Sequence, residues 1–342
     1  MLETIWFVLW GLLWAVYFVL DGFDLGMGSL MLFLAKTDTE KRIIYNAAGP
    51  YWDGNEVWLI TAGGATFAAF PKAYAVMFSA LYAPLLIILF ALIFRAVAFE
   101  FRNKIDTPFW RSLWDLFLFL GNFIPALLLG VAFANLFMGI PIDRYGVYYG
   151  NLLMLLNPYG ILGGIFFVIM FCVHGALWLA LKSEGLLHAK AVVTAKGLWF
   201  ILAALTIAFL VMTYYYTNLY DNYEITPALL AFPVIAALSL IFIQLMLNKE
   251  KLLLAWICSA LFILCVTFFG VLGMYPSLII SSINPTYSVT IMNGASSPLT
   301  LKIMLGVVIG CIPIVIAYQA WVYYTFAHKV TSESIHADDH AY

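Results

Sequence analysis

The chain has 342 residues, 65% of them hydrophobic and only 10% charged, with a formal net charge of −2 and a mean hydropathy of +0.99. A soluble domain carries about 25% charged residues, so a fold solvated mainly by water is excluded, and no basic patch points to nucleic acid as a partner. The composition is that of a polytopic membrane protein forming a single transmembrane domain over 1–342. The opening Met1-Leu2-Glu3-Thr4 lacks the cationic start of a cleavable signal, so the first span is expected to enter the membrane by itself.

A bilayer crossing needs about 20 mostly apolar residues. Nine spans are expected on that rule, at about 5–34, 55–71, 73–95, 116–139, 158–181, 197–216, 227–247, 252–274 and 299–326, before a polar tail over 328–342. Residues 36–46 read as a charged loop, 102–115 as an interfacial loop, and 275–298 as an uncharged, turn-rich outer cap. The second span is short and rich in Gly, Ala and Thr, which lets helices approach closely. Pro71 and Lys72 close it, and Pro313 predicts a kink in the last span. On this scheme 13 of the 16 Lys and Arg fall on one side of the membrane. The positive-inside rule then puts the N-terminus outside and the C-terminus in the cytoplasm.

Chemistry concentrates in the first third. Asp21 and Asp24 lie one helical turn apart in the first span, and Asp53 and Glu56 flank Asn55 where the second begins. At about 100° per residue, Asp53 and Glu56 share one helix face. Arg95 and Glu100 close the third span, and short connections allow all these groups to meet. Ionisable groups in a bilayer are costly, usually paired, and mark proton or ion pathways. Two readings stay open. Carboxylates bridged by amides, hydroxyls or water relay protons inward from the cytoplasm. Alternatively, Arg95 only neutralises acids and ties three helices together, with Asp53 and Glu56 stabilising a helix N-terminus. Glu100, beside Arg102, reads as an interfacial charge that sets topology.

Cys172, Cys258, Cys265 and Cys311 sit in apolar segments without C-x-x-C spacing and read as buried hydrophobes. His174 alone among the five histidines lies mid-span, whereas His188, His328, His336 and His340 are near or in water. One buried imidazole supplies at most one haem ligand, and a hydrogen-bonded core histidine is the expectation. Gly26, Gly28, Gly63 and Gly64 read as helix-contact glycines, not phosphate cradles. Taken alone, these residues show membrane acids and no redox cofactor or metal site.

Longer motifs add a resemblance. DGFDLGMG at 21–28, GPYWDGNEVWLITAGGATFAAFP at 49–71 and FRAVAFEFR at 94–102 resemble subunit II of the bacterial cytochrome bd quinol oxidases. WRSLWD at 110–115, NPYG at 157–160 and HGALWLALKSEG at 174–185 extend the likeness over essentially the whole chain. The resemblance implies an all-α fold of two four-helix bundles plus one peripheral helix, with no catalytic residue, haem or metal on this chain. It implies a partner, subunit I, that carries two haems b and haem d, binds the quinol and packs about a pseudo-twofold axis. Lipid, small single-span accessory subunits and a bound ubiquinone or menaquinone are further implied partners. Such a complex lies in the bacterial cytoplasmic (inner) membrane, oxidises quinol, reduces dioxygen to water and takes protons from the cytoplasm.

By the same resemblance Asp53 lies on a proton route toward haem d at the subunit interface. Glu56 stands where some relatives carry Gln and adds a second protonatable group. Trp58 lies by an oxygen-access path. Asp24 and Arg95, with Glu100, fall where some members hold a structural quinone or an ion pair. Ala96 stands where many members have Pro. Two readings from other classes use the same acids: a proton- or cation-coupled secondary transporter, and a scaffold with every acid salt-bridged.

Overall fold

A computed structural model describes residues 1–337 and 342. His340 and the side chain of His336, in the expected tail, lie outside the described residues. The chain runs through α1 (Leu2–Leu34), α2 (Asp38–Ala48), α3 (Trp52–Ala69), α4 (Pro71–Ala80), α5 (Tyr82–Phe101) and α6 (Pro108–Met138). After a turn, α7 (Leu152–Leu155), come α8 (Pro158–Lys182), α9 (Gly185–Tyr216), the short α10 (Asp221–Ile225), α11 (Ala231–Asn248) and α12 (Leu252–Met274). A small cap of β1 (Ser277–Ile279), β2 (Val289–Thr290) and α13 (Ile291–Gly294) precedes α14 (Pro298–Thr325) and α15 (Ser332–Ala337).

Among the described residues eight helices are long and apolar enough to cross a membrane: α1, α5, α6, α8, α9, α11 with its leading 3₁₀ turn, α12 and α14. The fold is all-α. Helices α1, α3, α5 and α6 form one bundle, and α8, α9, α11 and α12 a second; α1 and α6 pack on α8 to interlock the two. Helix α14 is peripheral, touching α1 and α3, with Leu301 its one buried residue. Small residues make the interlock possible. A Cβ on Gly26 would lie 1.7 Å from the Phe171 carbonyl oxygen, and one on Gly175 would lie 2.3 Å from the Met27 amide nitrogen. At that crossing α1 and α8 touch backbone to backbone.

Several elements differ from the sequence reading. The expected span at 55–71 is a helix from Trp52, packed along α1, but it is not among the eight because Asp53, Asn55 and Glu56 dilute its 18 residues. The span expected at 73–95 is two helices. The chain breaks at Leu81 (φ −101°, ψ 19°), so α5 alone is the long apolar piece, and α4 packs on the β1–β2–α13 cap. Residues 36–46 are not a loop. The Thr37 hydroxyl accepts from the Glu40 N–H while Glu40 Oε2 accepts from the Thr37 N–H, a capping box that launches α2. Helix α6 starts at Pro108, capped by Thr107, and α9 starts at Gly185 (φ +60°), both well before the expected 116 and 197. Pro125 and Pro313 lie inside α6 and α14 without ending them.

Gly63 and Gly64 are a further correction. A Cβ on either would meet nothing within 4 Å, so they make no helix contact inside this chain. They line an open apolar groove with Trp14, Phe67, Tyr74 and Tyr82. The segment 275–298 is the packed cap, with Leu278, Ile279, Val289 and Ile291 buried and β1 antiparallel to β2. The two ends of the bundles are called the cap end and the α2 end below.

Candidate functional site

Where α1, α3 and α5 meet, the fold encloses one arginine. Arg95 has no exposed surface; its Nη1 donates to Asp21 Oδ1 and its Nη2 to Glu56 Oε2, each at 2.8 Å. Asp21 is fully buried, whereas the Glu56 side chain keeps 22% of its surface. Asp24, one turn along α1, is buried beside them, and its Oδ2 accepts from Asn55 Nδ2 at 2.8 Å. Among the described residues, four buried polar atoms around this core have no direct hydrogen-bond partner: Tyr17 OH, Asp21 Oδ2, Asp24 Oδ1 and Arg95 Nε. Three carboxylates thus surround one guanidinium. Burying charge is tolerated only when it is balanced, and here one cation stands among three acids, of which Glu56 alone keeps a partly exposed edge.

Helix α14 closes the site from the side. The Tyr323 hydroxyl donates to Asn55 Oδ1 at 3.0 Å, which fixes the amide so that its NH₂ faces Asp24. Gln319 takes a hydrogen bond from Trp58 Nε1 at 3.1 Å and gives one to the Gly54 carbonyl at 2.9 Å. Asn55 and Trp58 are buried under this seam.

The structure therefore joins Asp21, Asp24, Glu56 and Arg95 and leaves Asp53 and Glu100 apart. Asp53 is exposed in the first turn of α3 and, among the described residues, pairs with nothing. Glu100 is exposed, and the Tyr342 hydroxyl lies 3.5 Å from it. The cavity that Asp24 and Arg95 line is about 10 Å³, the size of one water, so a quinone headgroup is not accommodated there. Trp58 lines an almost wholly apolar groove between α1, α3 and α14, with Trp6, Leu13, Ala65, Val308 and Ile312.

Sequence reasoning missed Tyr17, Asn122, Gln319 and Tyr323, whose roles depend on which helix faces meet. It also missed a second ionic network at the α2 end. Buried Arg102 donates from Nε to Asp115 Oδ1 and from Nη2 to Asp38 Oδ1, both at 2.7 Å, and Lys41 Nζ lies 2.8 Å from Asp115 Oδ2. The Arg102 guanidinium also sits over the Tyr45 ring. Burial pushes the Asp38 carboxyl up, but the hydrogen bond and charge of Arg102 outweigh it and hold Asp38 below the ordinary carboxylate range. Glu40 behaves alike. Burial raises it, and the Lys190 ammonium with the Lys36 and Thr37 amides brings it below its usual value.

His174 fills both ring nitrogens inside the core: Nδ1 is 2.5 Å from Ser259 Oγ, and Nε2–H donates to the Val19 carbonyl at 3.0 Å. The ring also stacks on Trp256. This imidazole does not fit a haem iron. Among the described residues no group of three or more His, Cys, Asp or Glu is arranged to hold a metal ion. The four cysteines are free; Cys172 and Cys265 are buried, while Cys311 is exposed on α14, contrary to the expectation that all four are buried.

With this geometry in hand, known proteins are informative. The profile of the family described as cytochrome bd terminal oxidase subunit II matches residues 2–326. Cytochrome bd-I ubiquinol oxidase subunit 2 of Escherichia coli (strain K12) is 36% identical over 371 aligned residues, covering 99% of this chain and 98% of that one. Cytochrome bd ubiquinol oxidase subunit 2 of Bacillus subtilis (strain 168) is 36% identical over 332 residues, covering 96% and 97%. The fold matches the bd oxidase from Geobacillus thermodenitrificans with a TM-score of 0.77, at 17% identity, over 95% of this chain and 98% of that one. The chain belongs to the cytochrome bd terminal oxidase subunit II family.

Proposed function

We propose that this chain is the non-haem subunit of a quinol-oxidising, dioxygen-reducing membrane complex, and that its acids supply cytoplasmic protons to the partner subunit. The two haems b and the haem d, held by subunit I, supply electron transfer and oxygen reduction. The carrying observation is Glu56: it is bonded to a fully buried arginine yet keeps a partly exposed edge on α3. It thus connects the enclosed acids with the face that carries Asp53, one helical turn away.

With the α2 end toward the cytoplasm, the orientation that the Lys and Arg distribution favours, protons enter at exposed Asp53 and pass to Glu56. Arg95 holds Glu56 in place and keeps the site near charge balance while Asp21 and Asp24 take up or release protons. The Trp58 groove, lined by aliphatic and aromatic side chains, is a dry path suited to dioxygen, which polar walls would not favour. In this assignment the complex sits in the bacterial inner membrane with subunit I as obligate partner; lipid, quinol and small single-span subunits are its further contacts. The family membership leaves the transporter alternative without a supporting observation.

The test is purification of tagged protein in a gentle detergent, followed by a reduced-minus-oxidised visible spectrum and quinol-dependent oxygen uptake. Co-purifying haem b and haem d bands with uptake are expected. A colourless, stable protein from cells that make these haems would sink the reading. In the active complex, Asp53→Asn and Glu56→Gln should each slow turnover by about a hundredfold, the lower end for loss of a proton-transfer group.

A further inference from the structure

Between α1, α2, α3, α5 and α6 lies a small pocket of about 10 Å³, lined by Asp24, Gly28, Ala48, Arg95, Phe99 and Asn122 among others. Three of its walls carry one buried polar atom each that lacks a direct partner: Asp24 Oδ1, Arg95 Nε and Asn122 Oδ1. The other polar side-chain atoms of these groups each have a partner. Asp24 Oδ2 accepts from Asn55, and both terminal nitrogens of Arg95 hold carboxylates. Asn122 Nδ2 donates to the Leu118 carbonyl at 2.7 Å, so the amide cannot be turned round without losing that bond.

A glycine makes the seat for Asn122. Gly28 lies four residues after Asp24, on the same face of α1. A Cβ there would come within 2.1 Å of Asn122 Nδ2, so its absence leaves the room that puts the amide beside Asp24.

With Asp24 ionised, one donor and two acceptors are the complement of a single water, which accepts once and donates twice. The N–H of Arg95 disfavours a cation, and the two acceptors disfavour an anion. The volume is that of one water molecule, and three polar partners are typical of a buried one. We propose that this cavity binds one water, which accepts from Arg95 Nε–H and donates to Asp24 Oδ1 and Asn122 Oδ1, and that Asn122 is through it a positioning residue for Asp24. The water site stands on geometry alone; its weight in turnover rests on the proton-route reading above.

The experiment is a cryo-EM map of the assembled complex that resolves internal waters, for the unaltered protein and for Asn122→Leu. A peak within hydrogen-bonding distance of all three atoms is expected, and it should vanish in Asn122→Leu. No such peak, in a map that shows other buried waters, overturns the proposal. In kinetics, Asn122→Leu should lower kcat about fivefold at unchanged quinol KM, equivalent to about 1 kcal/mol of barrier. Asn122→Asp has the same shape and, as the protonated acid, both an acceptor and a donor for the Leu118 carbonyl, so it should keep the peak and most of the kcat even if the leucine variant fails to assemble. Loss of the Asn122→Asp peak would overturn the acceptor role. A peak with unchanged kcat in Asn122→Leu removes the positioning role while Glu56→Gln still slows turnover. If Glu56→Gln is also silent, the proton-route reading has failed and the water site remains.

Discussion

Arg95 and Arg102 are both buried, at 0% and 1% exposure, and each grips two carboxylates at hydrogen-bonding distance. Around Arg102 the valences close. Both oxygens of Asp115 are occupied, by Arg102 and Lys41, and Asp38 reaches the surface. Around Arg95 they do not. One cation faces Asp21, Asp24 and Glu56, and an oxygen of Asp21, an oxygen of Asp24 and the arginine's own Nε remain open. The same side-chain chemistry thus gives a closed staple in one place and, in the other, a cluster with more acids than cations and open valences. What separates them is the count of cations against acids, and whether each atom has a partner in the chain.

The largest effects should not distinguish the two. Arg95→Leu and Arg102→Leu each strand a buried carboxylate, at about 3–5 kcal/mol, and both should lose haem-bearing complex on purification. Removing whole pairs separates them. Arg102→Met with Asp115→Leu should assemble with near-normal thermal midpoint and turnover, because a buried pair replaced by apolar groups is often neutral. Arg95→Met with Asp21→Leu should assemble but turn over slowly, and equal turnover in both double variants would erase the distinction.

Glu56→Gln keeps an oxygen for Arg95 Nη2 and should change turnover with little change in midpoint; a large midpoint shift instead would make Glu56 a staple too. Acid should act on the α2 end. Asp38 and Glu40 are held below their ordinary values, so their contribution to stability is complete above about pH 5 and is lost as pH falls below about 4. The midpoint of the complex between pH 7 and 3 reads this, and Asp38→Asn with Glu40→Gln should flatten the fall. The smallest effect is Tyr323→Phe, which frees Asn55 Oδ1 at about 1 kcal/mol.

Charged members of the Arg95 site stand out in the sequence because acids and an arginine within apolar runs are too costly to sit there unpaired. Asn122, Tyr17, Gln319 and Tyr323 do not, since an uncharged polar residue gains its role only when another helix presents a partner. Asn122 does leave a trace, an amide alone in an apolar stretch of α6. Long apolar runs make most helices readable, because the bilayer imposes their length. The break at Leu81 has neither Gly nor Pro at the position itself; the packing of α4 on the cap accompanies it. Helix α2 is legible despite its charge, since Thr37-Asp38-Thr39-Glu40 spells its capping box. Hydropathy alone hides it, because a polar helix and a polar loop have the same composition.

Helix α14 follows every other span in the chain and meets α3 chiefly through Gln319 and Tyr323. During synthesis the bundles can therefore form before the seam does. Until α14 arrives, the Asn55 side-chain carbonyl and the Trp58 indole N–H lack these partners, and inside hydrocarbon each such group costs several kcal/mol. A chain stalled or cut before residue 319 would carry two unpartnered polar side chains at one spot on its surface.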